Sequence, residues 1–159
     1  MSLASEGFFP KIVDCYQAYM GDNLVSLVLF GSRARGDAHV FSDYDLFLVA
    51  EQLPESPLQR IRYVRRPLGG RFKEKICIVA KTRQEIDGGF PPLYLDLGID
   101  GIILFDRDFM TDRIYRIRSI TAEAGLKRIR EDRALRWEWK KRPKAGWAID
   151  WNGYREFQG

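Results

Sequence analysis

The chain of 159 residues has little of three things on which whole classes of protein depend: cysteine, histidine and long apolar runs. Its two cysteines, Cys15 and Cys77, exclude a disulfide framework, and we interpret both as reduced thiols of the core. A single histidine, His39, excludes a metal site built from several imidazoles. No apolar run approaches the ~20 residues of a membrane helix, so we expect no membrane partner.

The first residues also lack the features of a secretion signal. Met1–Glu6 has neither a basic start nor a long apolar stretch. We therefore expect no signal peptide and a cytoplasmic location, with which the two thiols agree.

Hydrophobic residues make up 45% of the chain, which excludes a mainly disordered chain, and the alternation of strand and helix patterns predicts an α/β domain. Apolar runs predict four strands, at Leu24–Phe30, Tyr44–Ala50, Lys75–Ala80 and Gly101–Phe105. Helical spacing and capping patterns predict helices between them. The first of these helices ends at Gly21. Three others begin after Ser56, after Thr82 and after Pro92, and the last runs from Met110 to Gly125. In the helix after Ser56 the predicted buried stripe is Leu58, Ile61, Val64 and Leu68.

Positive charge is concentrated toward the C-terminus. Residues 113–144 carry 12 Lys and Arg against 4 Asp and Glu, although the whole chain is only +4. A second basic run covers residues 60–75. Such clusters are typical of polyanion-binding surfaces, but solvated helix faces explain them equally well.

All four tryptophans lie between Trp137 and Trp151. Leu135, Trp137 and Trp139 alternate with charged residues, which predicts a strand. Basic residues interleaved with aromatic rings can stack on nucleic-acid bases. We favour the alternative that these rings pack against the rest of the protein, because large aromatic side chains usually bury area.

The segment that carries chemistry follows the first predicted strand and reads Gly-Ser-Arg-Ala-Arg-Gly from Gly31 to Gly36. Glycine at position 31 lets the backbone turn sharply and approach a ligand closely. Ser32 offers a hydroxyl and an amide at a predicted helix N-terminus, where free amides bind phosphate. Arg33 and Arg35 add positive charge, although both side chains could equally be solvated.

A pair of carboxylates follows at Asp43 and Asp45, where the second strand begins. Side chains two residues apart on a strand share a face, so these two carboxylates repel each other unless a cation lies between them. Oxygen ligands of this kind suit Mg²⁺, which completes its shell with water and substrate phosphate. His39, in the loop before the pair, is favoured as a loop residue over a general base, and Ser42 as a turn residue over a nucleophile.

The pattern Gly-Ser-x-Ala-Arg-Gly followed by Ser-Asp-x-Asp-Leu resembles the minimal nucleotidyltransferases of the DNA-polymerase-β-like superfamily. The resemblance is specific over Phe30–Phe47 and weaker as far as residue 125. Residues 92–97 and 100–106 are similar to an archaeal-type branch of that family. The resemblance implies a small mixed β-sheet flanked by helices, which we assign to residues 1–125. From their charge and tryptophan content we expect residues 126–159 to be a basic, tryptophan-rich extension packed on or beside it.

The resemblance also implies roles for the motif residues. Asp43 and Asp45 are the expected catalytic residues and ligands of Mg²⁺, with Mn²⁺ as an alternative. Gly31 and Ser32 would bind the triphosphate of an NTP, assisted by Arg33 and Arg35. Such proteins transfer a nucleoside monophosphate to an acceptor and release pyrophosphate. Small members often act as antitoxins with a separate helical partner protein, and this chain has no second helical domain large enough to be that partner.

The resembled family usually places a third carboxylate on the strand after the Asp pair. Here Cys77 occupies the expected position, and Glu74 lies an odd number of residues earlier, on the other face of a regular strand. We therefore predict one well-bound metal, a weaker second one, and slow or partner-dependent turnover. The alternative function is a weakly active or silent module of this fold that binds nucleic acid through the basic tail, or a partner protein.

Overall fold

A computed structural model describes residues 7–158, so the predicted absence of a signal peptide at Met1–Glu6 lies outside it. Four strands form one mixed sheet in the order β3-β2-β1-β4. These strands are β1 (Leu24–Phe30), β2 (Tyr44–Ala50), β3 (Ile76–Thr82) and β4 (Ile102–Asp106). Strands β2 and β3 are parallel, whereas β1 is antiparallel to both β2 and β4. The predicted α/β class with a small mixed sheet is confirmed.

Within residues 7–158, six helices accompany the sheet, beginning with α1 (Phe8–Met20), which is followed by a short 3₁₀ turn (Gly21–Asn23). The others are α2 (Ser32–Arg35), α3 (Pro57–Arg65), α4 (Arg83–Asp87), α5 (Leu93–Asp100) and α6 (Met110–Ala124). Helix α4 begins with the predicted reciprocal capping box between Thr82 and Glu85, and α6 ends at Gly125 in the left-handed conformation.

The two central strands are buried on both faces along most of their length, which explains the nearly unbroken apolar runs of β1 and β2. One face packs against α1 and the end of α3, through side chains such as Ile12, Tyr16 and Val64. The other packs against α4, α5 and α6, through Leu97, Ile117 and their neighbours. The result is three layers with the sheet in the middle, so functional side chains can collect only at the strand ends.

The predicted stripe of α3 is wrong in its first half. Leu58 and Ile61 are 57% and 55% exposed, whereas Val64 and Leu68 are buried. Only the C-terminal end of the helix meets the core, where the Tyr16 hydroxyl donates to the Val64 carbonyl over 2.7 Å. Helical periodicity located the apolar face of α3, but it could not show that the N-terminal half of this face has no element packed against it.

Asp106, the last residue of β4, holds the start of α6. Its carboxylate accepts hydrogen bonds from the Met110 and Thr111 amides at 2.9 Å each, and from the hydroxyls of Thr111 and Ser26. Burial alone would raise the pKa of Asp106, but these hydrogen bonds hold it below its ordinary value. The same carboxylate therefore ties β1, β4 and α6 together.

The C-terminal segment forms two β-hairpins. The first pairs β5 (Leu126–Glu131) with β6 (Ala134–Trp139), which includes the predicted strand. The second pairs β7 (Trp147–Asp150) with β8 (Gly153–Glu156). Sequence periodicity predicted neither β5 nor the second hairpin.

Trp151 ties the second hairpin to the rest of the protein. Its indole N–H lies 2.7 Å from the Ile86 carbonyl, and its ring packs 4.9 Å from that of Phe90. Trp137 donates to Asp96 on α5. These contacts agree with the preferred interpretation that the rings pack inward, while Trp147 stays 49% exposed. The boundary at residue 125 remains a prediction.

Among the helices of residues 7–158, none combines the length and the apolar character needed to cross a bilayer.

Candidate active site

The turn after β1 brings the backbone directly against a carboxylate. Gly31 has φ +73°, and a Cβ built on it would lie 2.2 Å from Oδ2 of Asp45. The antiparallel register, in which Phe30 lies opposite Asp45, causes this approach. Any side chain at position 31 would therefore meet both an unfavourable dihedral angle and a steric clash. The glycine turn and the aspartate form one structural unit.

Helix α2 begins at Ser32, as predicted, but it has only four residues. The Ala34 and Arg35 amides both point back to the Gly31 carbonyl, at 3.1 and 3.0 Å. Gly36 ends the helix in the left-handed conformation, with φ +82° and nothing near the place of a Cβ. Both motif glycines thus allow a positive φ, but only Gly31 also avoids a clash with a neighbouring side chain.

Asp45 lies in β2, and Asp43 is the residue immediately before that strand. Burial, and after it the negative charge of Asp43, raise the pKa of Asp45, while the positive charge of Arg35 acts in the opposite direction. The pair is thus close enough for mutual repulsion, as the sequence predicted. Such a pair is stabilised by a cation placed against it.

Asp43 contacts two residues that the motif does not contain. Lys75 Nζ lies 3.6 Å from one carboxylate oxygen, and the Cys77 thiol donates to the other over 3.2 Å. The parallel register places Cys77 beside Asp45 on the neighbouring strand. The hydrogen bond to Asp43, followed by burial, raises the pKa of Cys77, which therefore remains a protonated thiol at neutral pH.

The turn and Asp45 line a cleft of about 340 Å³, together with Ser32 and Arg35. The rest of its wall comes from distant parts of the chain: Phe30, Leu93, Asp96, Arg133 and Leu135. Larger hollows exist elsewhere on the surface, but neither motif aspartate lines them.

Arg133 and Leu135 belong to the C-terminal hairpin and were not predicted as site residues. The count of charged residues detected the basic segment around Arg133, but it could not show where this segment lies relative to the glycine turn. No local pattern could have placed it beside Gly31, because about 100 residues separate the two along the chain.

The two motif arginines have different surroundings. Arg33 stacks 4.5 Å from the Tyr44 ring and donates to the Ser42 carbonyl at 3.0 Å, so it supports the loop before the aspartates. Arg35 lines the cleft and contacts Asp37 and Asp100, at 3.2 Å each. Arg35 is therefore the better placed of the two to contact a phosphate in the cleft. A phosphate role for Arg33 stays a prediction, and it would require Arg33 to give up its contacts with Tyr44 and Ser42.

His39 and Ser42 contact each other in the loop. The His39 amide donates to the Ser42 hydroxyl over 3.0 Å, and the His39 ring accepts from the Phe41 amide. These contacts agree with the loop and turn roles favoured from the sequence.

Within residues 7–158, no three His, Cys, Asp or Glu side chains gather as metal ligands. Glu74 lies before β3 and faces a separate hollow beside Leu68 and Phe72. Asp96 lines the cleft, but its carboxylate accepts from Arg128 and Trp137. Asp43 and Asp45 therefore fit one divalent cation, whereas Asp96, the other carboxylate of the cleft, is engaged by Arg128 and Trp137.

The comparison with protein families decides the identity of this fold. The family described as polymerase beta, nucleotidyltransferase matches residues 11–110, which contain the glycine turn and the aspartate pair. The chain belongs to this family. The resemblance seen in the sequence is thereby confirmed at the level of the nucleotidyltransferase family.

One curated relative of this nucleotidyltransferase comes from Methanocaldococcus jannaschii and is named "Putative protein adenylyltransferase MJ1305". The two are 45% identical over 51 residues, which cover 32% of this chain and 34% of that protein. The match thus spans about a third of the relative's length.

Solved structures confirm the fold. A toxin–antitoxin crystal structure with AMP-PNP superposes with a TM-score of 0.52 at 19% identity, covering 72% of this chain and 90% of that one. A mutant of the toxin–antitoxin MntA–HpeT superposes with a TM-score of 0.52 at 18% identity, with the same coverage of both chains.

Proposed function

We propose that this nucleotidyltransferase transfers a nucleoside monophosphate from an NTP to an acceptor hydroxyl and releases pyrophosphate. The acceptor oxygen forms a bond to the α-phosphorus as the bond from that phosphorus to the β-phosphate oxygen breaks. The hydroxyl proton leaves to a base, and pyrophosphate departs with the electron pair of the broken bond.

A single observation carries this proposal: the close approach of Gly31 to Asp45 in one cleft. It joins the two features that the reaction needs, a turn that admits phosphate and a carboxylate pair that attracts a cation. Ser32 and Arg35 share the wall and would bind the β- and γ-phosphates. Arg133 lines the same cleft and would bring further positive charge toward the triphosphate.

Asp43 and Asp45 would hold Mg²⁺, or Mn²⁺ in its place. When bound, such an ion neutralises phosphate charge and orients the reacting oxygens. The raised pKa of Asp45 supports this role, because the carboxylate pair is costly to keep charged without a cation.

We propose ATP as the nucleotide and a protein as one acceptor class. The support is the adenylyltransferase name of the archaeal relative and the AMP-PNP in the structural neighbour. The toxin–antitoxin neighbours likewise favour a partner protein for this chain. The two free thiols, Cys15 and Cys77, favour a reducing compartment such as the cytoplasm.

Ligand-dependent stability and product formation test the proposal together. AMP-PNP with Mg²⁺ should raise the melting temperature, and replacing Mg²⁺ by EDTA should remove most of that shift. ATP labelled at the α-phosphate should then label an acceptor protein and release pyrophosphate. Absence of both the shift and the label in the wild-type protein, with each of the four NTPs, would refute nucleotidyl transfer.

A second candidate is a nucleic-acid-binding module, favoured by the excess of 8 positive charges in residues 113–144. The inward packing of Trp137 and Trp151 reduces the number of rings available to stack on bases. If several phosphates are neutralised, affinity for single-stranded RNA should fall steeply between low and moderate salt. A flat salt response would exclude this role.

A further inference from the structure

A second hollow, rich in arginine, adjoins the cleft. It has a volume of about 650 Å³, and its wall includes Arg35, Arg118, Arg128 and Arg130, with Asp37 and Asp100 between them. We call it the arginine pocket. Four guanidinium groups against two carboxylates leave an excess of two positive charges in one concave surface.

The carboxylates hold three of the four arginines in place, Arg35, Arg128 and Arg130, without using all their donors. Asp100, whose side chain is only 4% exposed, accepts from both terminal nitrogens of Arg128, at 2.6 and 2.7 Å, and from Arg35 at 3.2 Å. Asp37 accepts from Arg35 and Arg130. A guanidinium has five N–H donors, so these contacts fix the planes of the arginines and leave donors over.

Arg118 and Arg130 have the most donors left for a ligand. Within the described residues, Arg118 donates only through Nε, to the Gly98 carbonyl at 2.6 Å. Arg130 donates only through one terminal nitrogen, to Asp37. Both side chains are exposed. A role limited to internal ion pairs would explain Arg128, but it would use only one terminal nitrogen of Arg130 and would leave Arg118 unexplained.

Arg35 belongs to both hollows, since it lines the cleft and the arginine pocket. A ligand in the pocket therefore lies beside the place where Gly31 and Asp45 would hold the nucleotide. Fixed, forked arginines are suited to phosphate oxygens, which they bind by paired hydrogen bonds.

We propose that the arginine pocket binds a phosphate group of the acceptor. Besides the protein proposed above, a second class of acceptor would then be a phosphate-bearing molecule, either a free phosphate compound or the phosphorylated end of a single-stranded nucleic acid. Its assignment as acceptor rests on the nucleotidyl transfer proposed above, whereas phosphate binding in the pocket does not.

The first hairpin of the C-terminal segment provides a matched control. Arg130 lies opposite Leu135 in the β5–β6 register, and Arg136 lies opposite Ile129, so the two arginines are on opposite faces. They are similarly exposed, at 51% and 55%. Arg130→Gln and Arg136→Gln therefore make the same change of charge on the same hairpin, but only the first changes the pocket.

The experiment measures binding of two probes, pyrophosphate by calorimetry and a labelled 5′-phosphorylated DNA decamer by fluorescence anisotropy. EDTA is present, so that metal-dependent nucleotide binding contributes nothing. Unfolding curves of each variant show that the fold is kept. We expect Arg118→Gln and Arg130→Gln each to weaken binding at least about tenfold, since each removes a charged hydrogen bond. Arg136→Gln should change it less than about twofold.

The two probes distinguish the sources of phosphate. Much tighter binding of the decamer than of pyrophosphate, lost without its 5′-phosphate, identifies a nucleic-acid end, and equal affinities identify a small phosphate compound. No binding of either probe, or equal weakening by Arg136→Gln and Arg130→Gln, would overturn the proposal. Phosphate binding without nucleotide transfer would leave the pocket standing and refute only the function proposed above.

Discussion

The thiol of Cys77 donates a hydrogen bond to the carboxylate of Asp43, with 3.2 Å between sulfur and oxygen. A neutral residue thus occupies the place beside the aspartate pair where the resembled family usually has an acid. Thiols are poor ligands for Mg²⁺, which prefers oxygen. The site of this nucleotidyltransferase is therefore asymmetric: one carboxylate lies in β2 and one immediately before it, and none lies on β3.

Replacing that thiol by an acid should complete the site. Cys77→Asp places a third carboxylate beside Asp43 and Asp45, so the metal-free protein should melt at a lower temperature because of the added repulsion. Mg²⁺ should restore the loss, and calorimetry should show a higher metal affinity or stoichiometry. Cys77→Ser, which keeps a neutral donor, is the control. If Cys77→Asp binds Mg²⁺ no better than Cys77→Ser, the missing acid is not what limits the metal site.

Removing one charge of the pair should abolish Mg²⁺-dependent NTP binding without unfolding the protein. Because the folded-state pKa of Asp45 is raised, its charged form opposes folding at neutral pH, and this cost disappears as the pH falls below that pKa. Asp45→Asn should therefore melt at an equal or higher temperature at pH 7, with the difference shrinking toward pH 4. Asp43→Asn should lose metal binding likewise. A large loss of stability in both variants would show that the aspartates are structural.

The two motif glycines separate steric clash from backbone strain. Gly31→Ala would put a Cβ 2.2 Å from Asp45, whereas Gly36→Ala meets open space at a similar positive φ. We expect the first to remove AMP-PNP binding and the second to cost only the strain of about 1 kcal/mol in unfolding free energy. Ser32→Ala should weaken nucleotide binding by about 1.5–3 kcal/mol, through loss of one hydroxyl contact to a charged phosphate. Equal, small effects at positions 31 and 32 would contradict a phosphate role for this turn.

The cap of α6 should make stability depend on pH. The folded-state pKa of Asp106 is lowered, so its stabilising effect is present above the unfolded-state pKa and is lost as the pH falls through the folded-state value. Asp106→Asn should cost about 0.5–2 kcal/mol of unfolding free energy at pH 7, and less at acid pH. Asp112→Asn removes a charge from the same first turn and is the control. Equal losses of unfolding free energy in Asp106→Asn and Asp112→Asn would show that the Asp106 carboxylate acts only through its negative charge near the helix N-terminus.

The second hairpin should depend on Trp151 more than on its neighbour Trp147. Trp151→Phe loses the hydrogen bonds to the Ile86 and Gly89 carbonyls, at 2.7 and 2.9 Å. Trp147→Phe removes an exposed ring edge with no such bond recorded in residues 7–158. The first should lower unfolding free energy by about 1 kcal/mol or more and the second by less, in urea titrations. The reverse order would argue against the inward packing of the tail.

A structural feature could be predicted from the sequence when the residues that form it lie close together along the chain. The limits of β1 and β2 matched the predicted ones, because a strand buried on both faces leaves an uninterrupted apolar run. The short distance along the chain between Gly31 and Asp45 made their meeting foreseeable once both were placed at strand ends. For α3, in contrast, Leu58 and Ile61 have the spacing of a buried stripe and yet are exposed, because nothing packs over that end.

The sequence by itself determined the α/β class, the glycine turn and the carboxylate pair, since each depends on neighbours within a few residues. The resemblance placed Cys77 beside the aspartate pair, and the tertiary structure added that its thiol donates to Asp43, through the parallel register of β2 and β3. Only the tertiary structure decided that the C-terminal hairpin returns to the cleft with Arg133 and forms the arginine pocket with Arg130. These contacts join residues far apart in the chain. They depend on the packing of Leu126 and Trp137 against α5 and α6, which no local pattern specifies.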